Sequence, residues 1–411
     1  MTISGSMAPE RQSVRLRRRL RRLTGAGGLQ LMTPVLAAAS SIIITRGVGS
    51  AGWGAVVHDM LVIGLAAHLV GWGTRDFVLR EAAARPAQAL MIWRRNTVSR
   101  LVFLLPPAVV VTALAASDPS GGVTSRLLAV LWLVAMVWSR GFDAPMVQDG
   151  RYGWVLTVDL AAAGLSVAGL IAALRSGMAE TTITPLVGVL AGAEMLRALG
   201  RTAIFRHRLT APGGGWRPVF TELGAGWGFF LLGFSGLLAS RADSYVVGLT
   251  LPPETLGQYQ IVTTFVIHLQ TLGAVWVMAA TPDLLRLPRR AVLRFAGRNV
   301  LVGAGLMAMA AMVLPFLVPA LFGVAPAMTL VLAATATGTL AFLYGPLLLL
   351  AQRQGRELQV AASGFAAGGI TFAGGLLLAP SHGPAGVQMA LAAGHLLQLA
   401  IAWRAGGRAS S

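Results

Sequence analysis

The 411-residue sequence contains no cysteine and no lysine, and only 15 of its residues are acidic. Without cysteine the chain has no disulfide and no thiolate metal site, and we expect no bound metal and no cofactor. The nucleotide-binding loop of P-loop proteins ends in a lysine, so we do not expect this chain to hydrolyse ATP. Long polar segments are also scarce, because 55% of the residues are hydrophobic and 12% are charged. This composition is typical of a protein embedded in a bilayer.

Apolar stretches of about twenty residues, each long enough to cross a bilayer as a helix, occur along the whole chain. We count twelve, at 28–45, 54–72, 98–116, 127–146, 153–174, 183–205, 229–250, 257–280, 300–319, 326–350, 358–379 and 385–403. The sequence therefore predicts an all-α integral membrane protein with twelve transmembrane helices.

The arginines predict the orientation of these helices. All 33 basic residues are arginine. With both termini in the cytoplasm, 29 of them fall on the inner side, Arg46, Arg126 and Arg175 fall on the outer side, and Arg241 lies within a span. Such a bias predicts a multi-pass protein of the bacterial cytoplasmic membrane with both termini inside. It also accounts for most of the net charge of +18, so we do not expect a nucleic-acid partner.

Each predicted turn can be assigned to one side of the membrane from this bias. The outer turns are centred on Ser50, Ser120, Gly177, Pro253, Val324 and His382. The inner turns are centred on Ala87, Gly150, Gly214, Pro288 and Gly355. The inner connection at 73–97 alternates apolar and charged residues, which predicts an amphipathic helix at the membrane surface.

The second half of the sequence repeats the layout of the first. The turn at 49–54 joins the first two spans, and the turn at 252–257 joins the seventh and eighth, 203 residues later. Six spans in each half give both halves the same topology, related by an axis along the membrane normal. We predict a cytoplasmic N-terminus at 1–27, an N-lobe at 28–205, a cytoplasmic linker at 206–228, a C-lobe at 229–403 and a cytoplasmic tail at 404–411.

Short motifs at the ends of the spans resemble those of one transporter family. Residues 45–54 read TRGVGSAGWG, 79–82 read LREA, 241–243 read RAD, 252–259 read PPETLGQY and 382–386 read HGPAG. They are similar to motifs of the Wzx-type polysaccharide flippases, which belong to the MOP exporter superfamily together with the MATE drug exporters and the lipid II flippases. The chain departs from the family pattern at Ser50-Ala51-Gly52, which lacks the usual acidic residues, and at His382, which replaces an aromatic residue.

This resemblance implies a MATE-like fold of two six-helix lobes around a central cavity. It also implies a flippase that moves a polyprenyl-pyrophosphate-linked oligosaccharide across the membrane for surface polysaccharide synthesis. The expected partners are the lipid-linked anionic glycan, membrane lipids and a polysaccharide polymerase. A cation-coupled exporter of drugs or other small molecules on the same fold is the alternative, because the fold does not decide between them. An integral-membrane enzyme is a third class, but the sequence has no Asp-x-Asp pair and no metal-ligand spacing, so we do not expect an enzyme.

Arg241 and Asp243 are the main candidates for a functional site. Both are predicted to lie deep in the seventh span, where a charged side chain is costly and must face a polar cavity or a partner. A guanidinium can donate two hydrogen bonds to a phosphate, so Arg241 is expected to bind an anionic headgroup. Asp243 is expected to orient that headgroup or to carry a coupling proton. A structural salt bridge between helices is the alternative for both residues.

Other ionisable residues near or inside the spans are candidates for the same two roles. The further substrate-binding candidates are Arg46, Arg75, His58, His68, His268 and His395. The further coupling candidates are Asp59, Asp159 and Glu194. Glu194 shares a helix face with Arg197 and Arg201, for which we favour a structural role. Gln388, His395 and Gln398 form a polar stripe on the last span, which is expected to face protein or water and not lipid.

Overall fold

The computed structural model describes residues 9–114, 122–178, 182–284, 286–353 and 356–405, which form helices and no strand. The predicted turns at Ser120 and Gly355 and the end of the tail, 406–411, lie outside these ranges. The helices of the first half are α1 (Pro9–Gly71), α2 (Thr74–Ala84), α3 (Ala89–Val102), α4 (Leu105–Leu114), α5 (Gly122–Arg140), α6 (Asp143–Asp149), α7 (Tyr152–Arg175), α8 (Thr184–Ile204) and α9 (Arg206–Thr210). Those of the second half are α10 (Thr221–Ala225), α11 (Trp227–Thr250), α12 (Pro253–Leu284), α13 (Arg289–Phe322), α14 (Met328–Arg353) and α15 (Glu357–Ala405).

Six helices among the described residues are long and apolar enough to cross a membrane, and a seventh span is added if a bent helix pair counts as one. The six are Val35–Ala84, Gly122–Asp149, Tyr152–Arg175, Arg289–Phe322, Met328–Ala351 and Leu358–Arg404. Two of them, with 50 and 47 residues, are about 70 Å or more in length if straight, against a hydrocarbon core of about 30 Å. Each of these two is therefore long enough for two crossings. The twelve-span division itself stays a prediction.

Both of these long helices are broken at a glycine. In α1 the break is at Gly49 (φ 73°, ψ 179°), and in α15 it is at Gly383 (φ 57°, ψ −145°). These dihedral angles strain any residue with a Cβ atom. The two parts of α15 pack against each other, since a methyl group at Gly374 would lie 3.1 Å from Ala390. The predicted turns at 49–54 and 382–386 are therefore single-residue breaks, and helix resumes directly after each glycine.

The third and fourth predicted spans are not single straight helices. The third is divided into α3 and α4, which meet at a bend of 42°. Pro106 and Pro107 lie in the first turn of α4, where the missing N–H groups are tolerated, but they cannot continue the helix that precedes them. The fourth stops at Arg140, because the chain turns at Gly141 before the short helix α6 begins. The spans predicted at 98–116 and 127–146 therefore each contain a break in the helix, and both regions remain candidate membrane spans.

The two halves make close backbone contact near the turns that the repeat predicts to be equivalent. A methyl group built on Gly54 would lie 1.7 Å from the carbonyl oxygen of Pro253. One built on Gly257 would lie 2.1 Å from the carbonyl oxygen of Ser50. Gly54 and Gly257 are 203 residues apart, and so are Ser50 and Pro253. The 203-residue offset in the sequence therefore relates the two partners of a reciprocal backbone contact. We call this end of the molecule the Gly49 end.

The largest buried apolar cluster surrounds this contact and contains residues of both halves. Ile44, Val56 and Leu170 of the first half pack together with Val246 and Met307 of the second. Arg46 adds a polar contact, since its guanidinium donates to the carbonyl oxygens of Leu321 (2.7 Å) and Ala320 (2.5 Å) at the end of α13. The Gly49 end therefore joins the halves through backbone contact, apolar packing and a helix cap.

The opposite end, which we call the linker end, carries the segment between α9 and α10. The buried guanidinium of Arg94, only 1% exposed, donates to the carbonyl oxygens of Arg208 (2.7 Å), Ala211 (2.7 Å) and Gly213 (2.9 Å). The backbone N–H of Val219 donates to the hydroxyl of Ser99 (2.8 Å). Both Arg94 and Ser99 belong to α3, so this helix holds the linker against the first half.

Candidate functional site

A cluster of arginines surrounds Asp143 at the linker end. The side chains of Arg75, Arg100, Arg140 and Arg201 are all close enough to interact electrostatically with this carboxylate. We call these five residues the basic cluster. Arg100 is buried, with 4% of its surface exposed, and its Nε–H donates to the carbonyl oxygen of Val70 (3.3 Å). Arg75 and Arg140 are exposed to the surroundings.

Arg201 links the basic cluster to a second set of charges on α7 and α8. Its guanidinium lies 3.1 Å from both Asp143 and Asp159. Arg197 lies 2.8 Å from Glu194 and 4.0 Å from Asp159, and Ser139 donates to the other oxygen of Glu194 (2.7 Å). Asp159, which has no partner nearby in sequence, is thus held by two arginines of the neighbouring helix. These contacts are compatible with the structural role favoured for Glu194, Arg197 and Arg201. That role and the coupling role of Asp159 and Glu194 both stay predictions.

A chain of hydrogen bonds crosses the buried interior of the second half. The Gln388 amide donates to the Tyr259 hydroxyl (2.6 Å), which in turn donates to the Asp243 carboxylate (2.5 Å). All three side chains are buried, with 2%, 0% and 4% of their surface exposed. The Thr337 hydroxyl donates to the carbonyl oxygen of Gln388 (3.2 Å), so four helices contribute to this chain. The polar stripe predicted on the last span therefore faces protein at Gln388.

Arg241 lies near this buried chain, close enough to interact electrostatically with Asp243 and Tyr259, but it is not hydrogen-bonded to it. It is half-buried and makes no hydrogen bond or ion pair to any residue in the described part of the protein. It does lie close enough to Tyr245 and His268 to interact electrostatically with both. The hydroxyl of Tyr245 contacts the carbonyl oxygen of Leu61 (3.4 Å), which places this face of α11 against α1 of the first half. Arg241 thus lies beside the junction of the halves with its donors available.

The four histidine candidates lie at separate places along this junction and inside the second half. His58 is 3.7 Å from the carboxylate of Asp59, and the ring of His68 is 6.2 Å from that of Phe234 on α11. His268 lies on α12 near Arg241. His395 lies near Asp243. The structure does not bring the four histidines together into one site.

Arg46 is separated from the other candidates, because it caps α13 at the Gly49 end. Arg75 is part of the basic cluster at the linker end. Sequence reasoning missed Arg100, Arg140 and Asp143. The two arginines were used only to predict the orientation of the helices. Both lie in the last turn of a helix, α3 and α5, and this shared position is the one sequence signal that places them at the same end of the molecule.

Comparison with known proteins places the fold. No protein-family model and no curated protein sequence matches the chain. Among solved structures, the lipid II flippase MurJ in an inward closed conformation has a TM-score of 0.67 and 11% identity, over 92% of this chain and 86% of that one. An inward-facing multidrug resistance MATE family transporter of the MOP superfamily has a TM-score of 0.56 and 15% identity, over 92% and 96%. The eukaryotic MATE transporter AtDTX14 has a TM-score of 0.55 and 14% identity, over 94% and 95%.

At these identities the likeness defines the fold. The described part of the chain is all-helical and has the fold of MurJ and the MATE transporters, which is the fold that the resemblance of the short motifs implies. This fold and the apolar helices make the chain a multi-pass membrane protein.

Proposed function

We propose that the protein flips a polyprenyl-pyrophosphate-linked oligosaccharide across the bacterial cytoplasmic membrane, for surface polysaccharide synthesis. The excess of guanidinium groups at the linker end carries this proposal. The basic cluster and its neighbours on α7 and α8 together contain five arginines and three carboxylates. These are Arg75, Arg100, Arg140, Arg197 and Arg201, and Asp143, Asp159 and Glu194. Positive charge in excess near the membrane calls for an anion, and guanidinium groups bind phosphate oxygens with two parallel hydrogen bonds. A pyrophosphate headgroup supplies such an anion.

In this proposal Arg241 is a second binding residue for the headgroup, deeper in the membrane than the basic cluster. Its guanidinium is half-buried beside the junction of the halves and has no carboxylate within ion-pair distance among the described residues. An unpaired charge at that depth is costly unless it faces a polar cavity or a ligand. In the proposed cycle, the headgroup enters at the basic cluster and moves to Arg241, while its polyprenyl tail stays in the lipid.

Alternating access provides the rest of the cycle. The reciprocal contact of Gly54 and Gly257 holds the halves together at the Gly49 end, which the arginine bias assigns to the outer side. Release to the outside requires that this contact opens, so that the two halves rock about the bound headgroup. No bond in the cargo is made or broken, so the protein acts as a transporter and not as an enzyme. A polysaccharide polymerase would receive the released glycan.

The proposal is tested with purified protein in vesicles that contain a fluorescent polyprenyl-pyrophosphate oligosaccharide. A quencher that cannot cross the bilayer reports the fraction of labelled headgroups in the outer leaflet. We expect headgroups trapped in the inner leaflet to become quenchable only when the protein is present. A matched glycolipid without the pyrophosphate serves as the control cargo. Transport of a cationic dye without movement of the labelled headgroup would favour the small-molecule exporter and contradict the proposal.

We further propose that protonation of Asp243, or cation binding to it, couples transport to an ion gradient. The carboxylate is buried within the second half and is joined through Tyr259 and Gln388 to α12 and α15. A change in its charge therefore alters the packing of three helices at once. In the vesicle assay, an inward-acid or inward-sodium gradient is expected to change the flipping rate, and Asp243→Asn should remove this dependence.

The matched control for this prediction is Asp76→Asn, which removes an exposed carboxylate from α2. It should leave the gradient dependence intact. Transport that ignores the gradients and the membrane potential, with Asp243→Asn behaving as the parent does, would show that Asp243 has only a structural role.

A further inference from the structure

A second polar site lies apart from the proposed path of the cargo. It is a pocket of about 340 Å³ between α2, α3 and α10 at the linker end. Phe77, Met91 and Ile92 form part of its apolar wall, and Arg95 and Glu222 form part of its polar wall. We call it the α2–α10 pocket. Neither Arg95 nor Glu222 belongs to the basic cluster or to the buried hydrogen-bond chain.

The polar wall has one donor and one acceptor that the protein leaves unsatisfied. Nη1 of Arg95 is 3.9 Å from Oε1 of Glu222, which is too long for a hydrogen bond. The Nε–H of Arg95 and the Oε2 atom of Glu222 are buried and have no hydrogen-bond partner in the described part of the chain. By contrast, both carboxylate oxygens of the neighbouring Glu81 are bonded, one to Arg80 and the other to Arg85. Buried polar atoms are usually paired in a folded protein, and because the side chains of Arg95 and Glu222 both line the pocket, a ligand bound there can supply the missing partners.

The electrostatics of Glu222 fit a cationic ligand group. Burial of the side chain raises the pKa of Glu222, and the nearby Arg95 and Arg85 oppose this rise only in part. A donor cation beside Oε2 would stabilise the carboxylate form. The Nε–H of Arg95, on the same wall, calls for an anionic acceptor. The two groups together match a ligand that carries a positive and a negative group a short distance apart.

The surroundings of the pocket fit the headgroup level of a membrane. Helix α2 buries Phe77 and Val78 and exposes charged residues on its other side, as a surface-lying amphipathic helix does. Trp216, Phe220 and Trp227 flank α10 and are 43%, 55% and 47% exposed. Aromatic residues of this kind are enriched where a membrane protein meets the lipid headgroups.

We propose that the α2–α10 pocket binds the headgroup of a phosphatidylethanolamine lipid. The ammonium group donates to Glu222, the phosphate accepts from Arg95, and the glycerol and upper acyl carbons contact the apolar wall. Phosphatidylcholine has no N–H donor for Glu222, and an anionic lipid places only negative charge beside this carboxylate, so neither satisfies both groups. The proposal is independent of the cargo, because it uses none of the residues assigned to transport.

The test compares lipids bound by the purified full-length protein in detergent, measured by native mass spectrometry. With matched acyl chains, we expect phosphatidylethanolamine to bind about 10-fold more tightly than phosphatidylcholine or phosphatidylglycerol. Equal binding of the three lipids by the parent protein would overturn the proposal without recourse to any variant. Glycerophosphoethanolamine, which has the headgroup but no acyl chains, should bind more weakly than the lipid. If it binds as tightly, the site takes a soluble ligand and the lipid assignment fails.

Two variants locate the binding to this pocket. Glu222→Gln and Arg95→Gln should each reduce the preference for phosphatidylethanolamine to about 2-fold or less. The matched controls are Glu254→Gln and Arg290→Gln, which remove exposed charges elsewhere and should keep the parent preference. A full preference in both pocket variants would assign the lipid to another surface and overturn the proposal.

Discussion

Export by the Arg241→Ala variant is expected to fall by about 10- to 100-fold, because the headgroup phosphates lose charged hydrogen bonds inside the membrane. The native guanidinium has no hydrogen-bond or ion-pair partner among the described residues, so the variant should still insert and fold. Arg241→Lys should restore part of the activity, since the charge is kept but the two parallel hydrogen bonds are lost. Surface-glycan complementation in cells that lack their own flippase measures both effects.

Arg206→Ala is the control for this experiment, because Arg206 is exposed in α9 and makes no side-chain contact with the proposed path. It should export as the parent does at the same membrane abundance. Parent-level export by Arg241→Ala under these conditions would remove Arg241 from the substrate site.

Gly54→Ala is expected to hold the Gly49 end open. The added methyl group would meet the backbone carbonyl of Pro253, which cannot rotate away as a flexible side chain can. Overpacking of this kind costs about 1–3 kcal/mol, so the population with the Gly49 end closed should fall by about 5- to 150-fold. Export should fall with it, since the carrier must close this end to bind cargo from the other side. Gly257→Ala should have the same effect, because its methyl group would meet the carbonyl of Ser50.

The absence of cysteine makes this opening measurable. Thr45 is 2% exposed near the contact, and a Thr45→Cys variant has a single thiol in the whole chain. A membrane-impermeant maleimide should label it slowly in the parent background and at least about 10-fold faster with Gly54→Ala. Gly64→Ala is the matched control, since apart from the backbone of its own helix turn nothing lies within 4 Å of the site of its methyl group. Equal labelling in all three backgrounds would show that the contact does not close this end.

The all-helical fold was predictable because its signals are local in sequence. Apolar length predicts helices, the arginine bias predicts their direction, and two turns at a fixed offset predict a repeat. The positions of the breaks at Gly49 and Gly383 were predicted, but their geometry was not. A single glycine with positive φ and a turn of several residues have the same sequence pattern. The bend before Pro106 was missed because the apolar run continues through it.

The sites were harder to predict, since they depend on tertiary contacts. The sequence shows that Arg241 and Asp243 are unusual, but not that Asp243 receives a hydrogen bond from Tyr259, 16 residues away. The partners of Asp159 are more than 35 residues distant, and no spacing rule connects them. Sequence reasoning passed over Arg100 and Arg140, because the arginine bias used to predict the topology already explains an arginine at a helix end.

The anchoring of the linker by Arg94 limits how the two halves can move. Its hydrogen bonds make residues 208–213 travel with the first half, and Trp72 extends this hold to Leu223 through a hydrogen bond of 2.9 Å. The connection from Leu223 to the rest of α11 is then the five residues 224–228, which comprise the end of α10, Gly226 and the start of α11 and include three glycines. Five residues span at most about 17 Å when fully extended. The second half can therefore rotate about this short connection, but it cannot move far from the first half. The connection acts as a hinge.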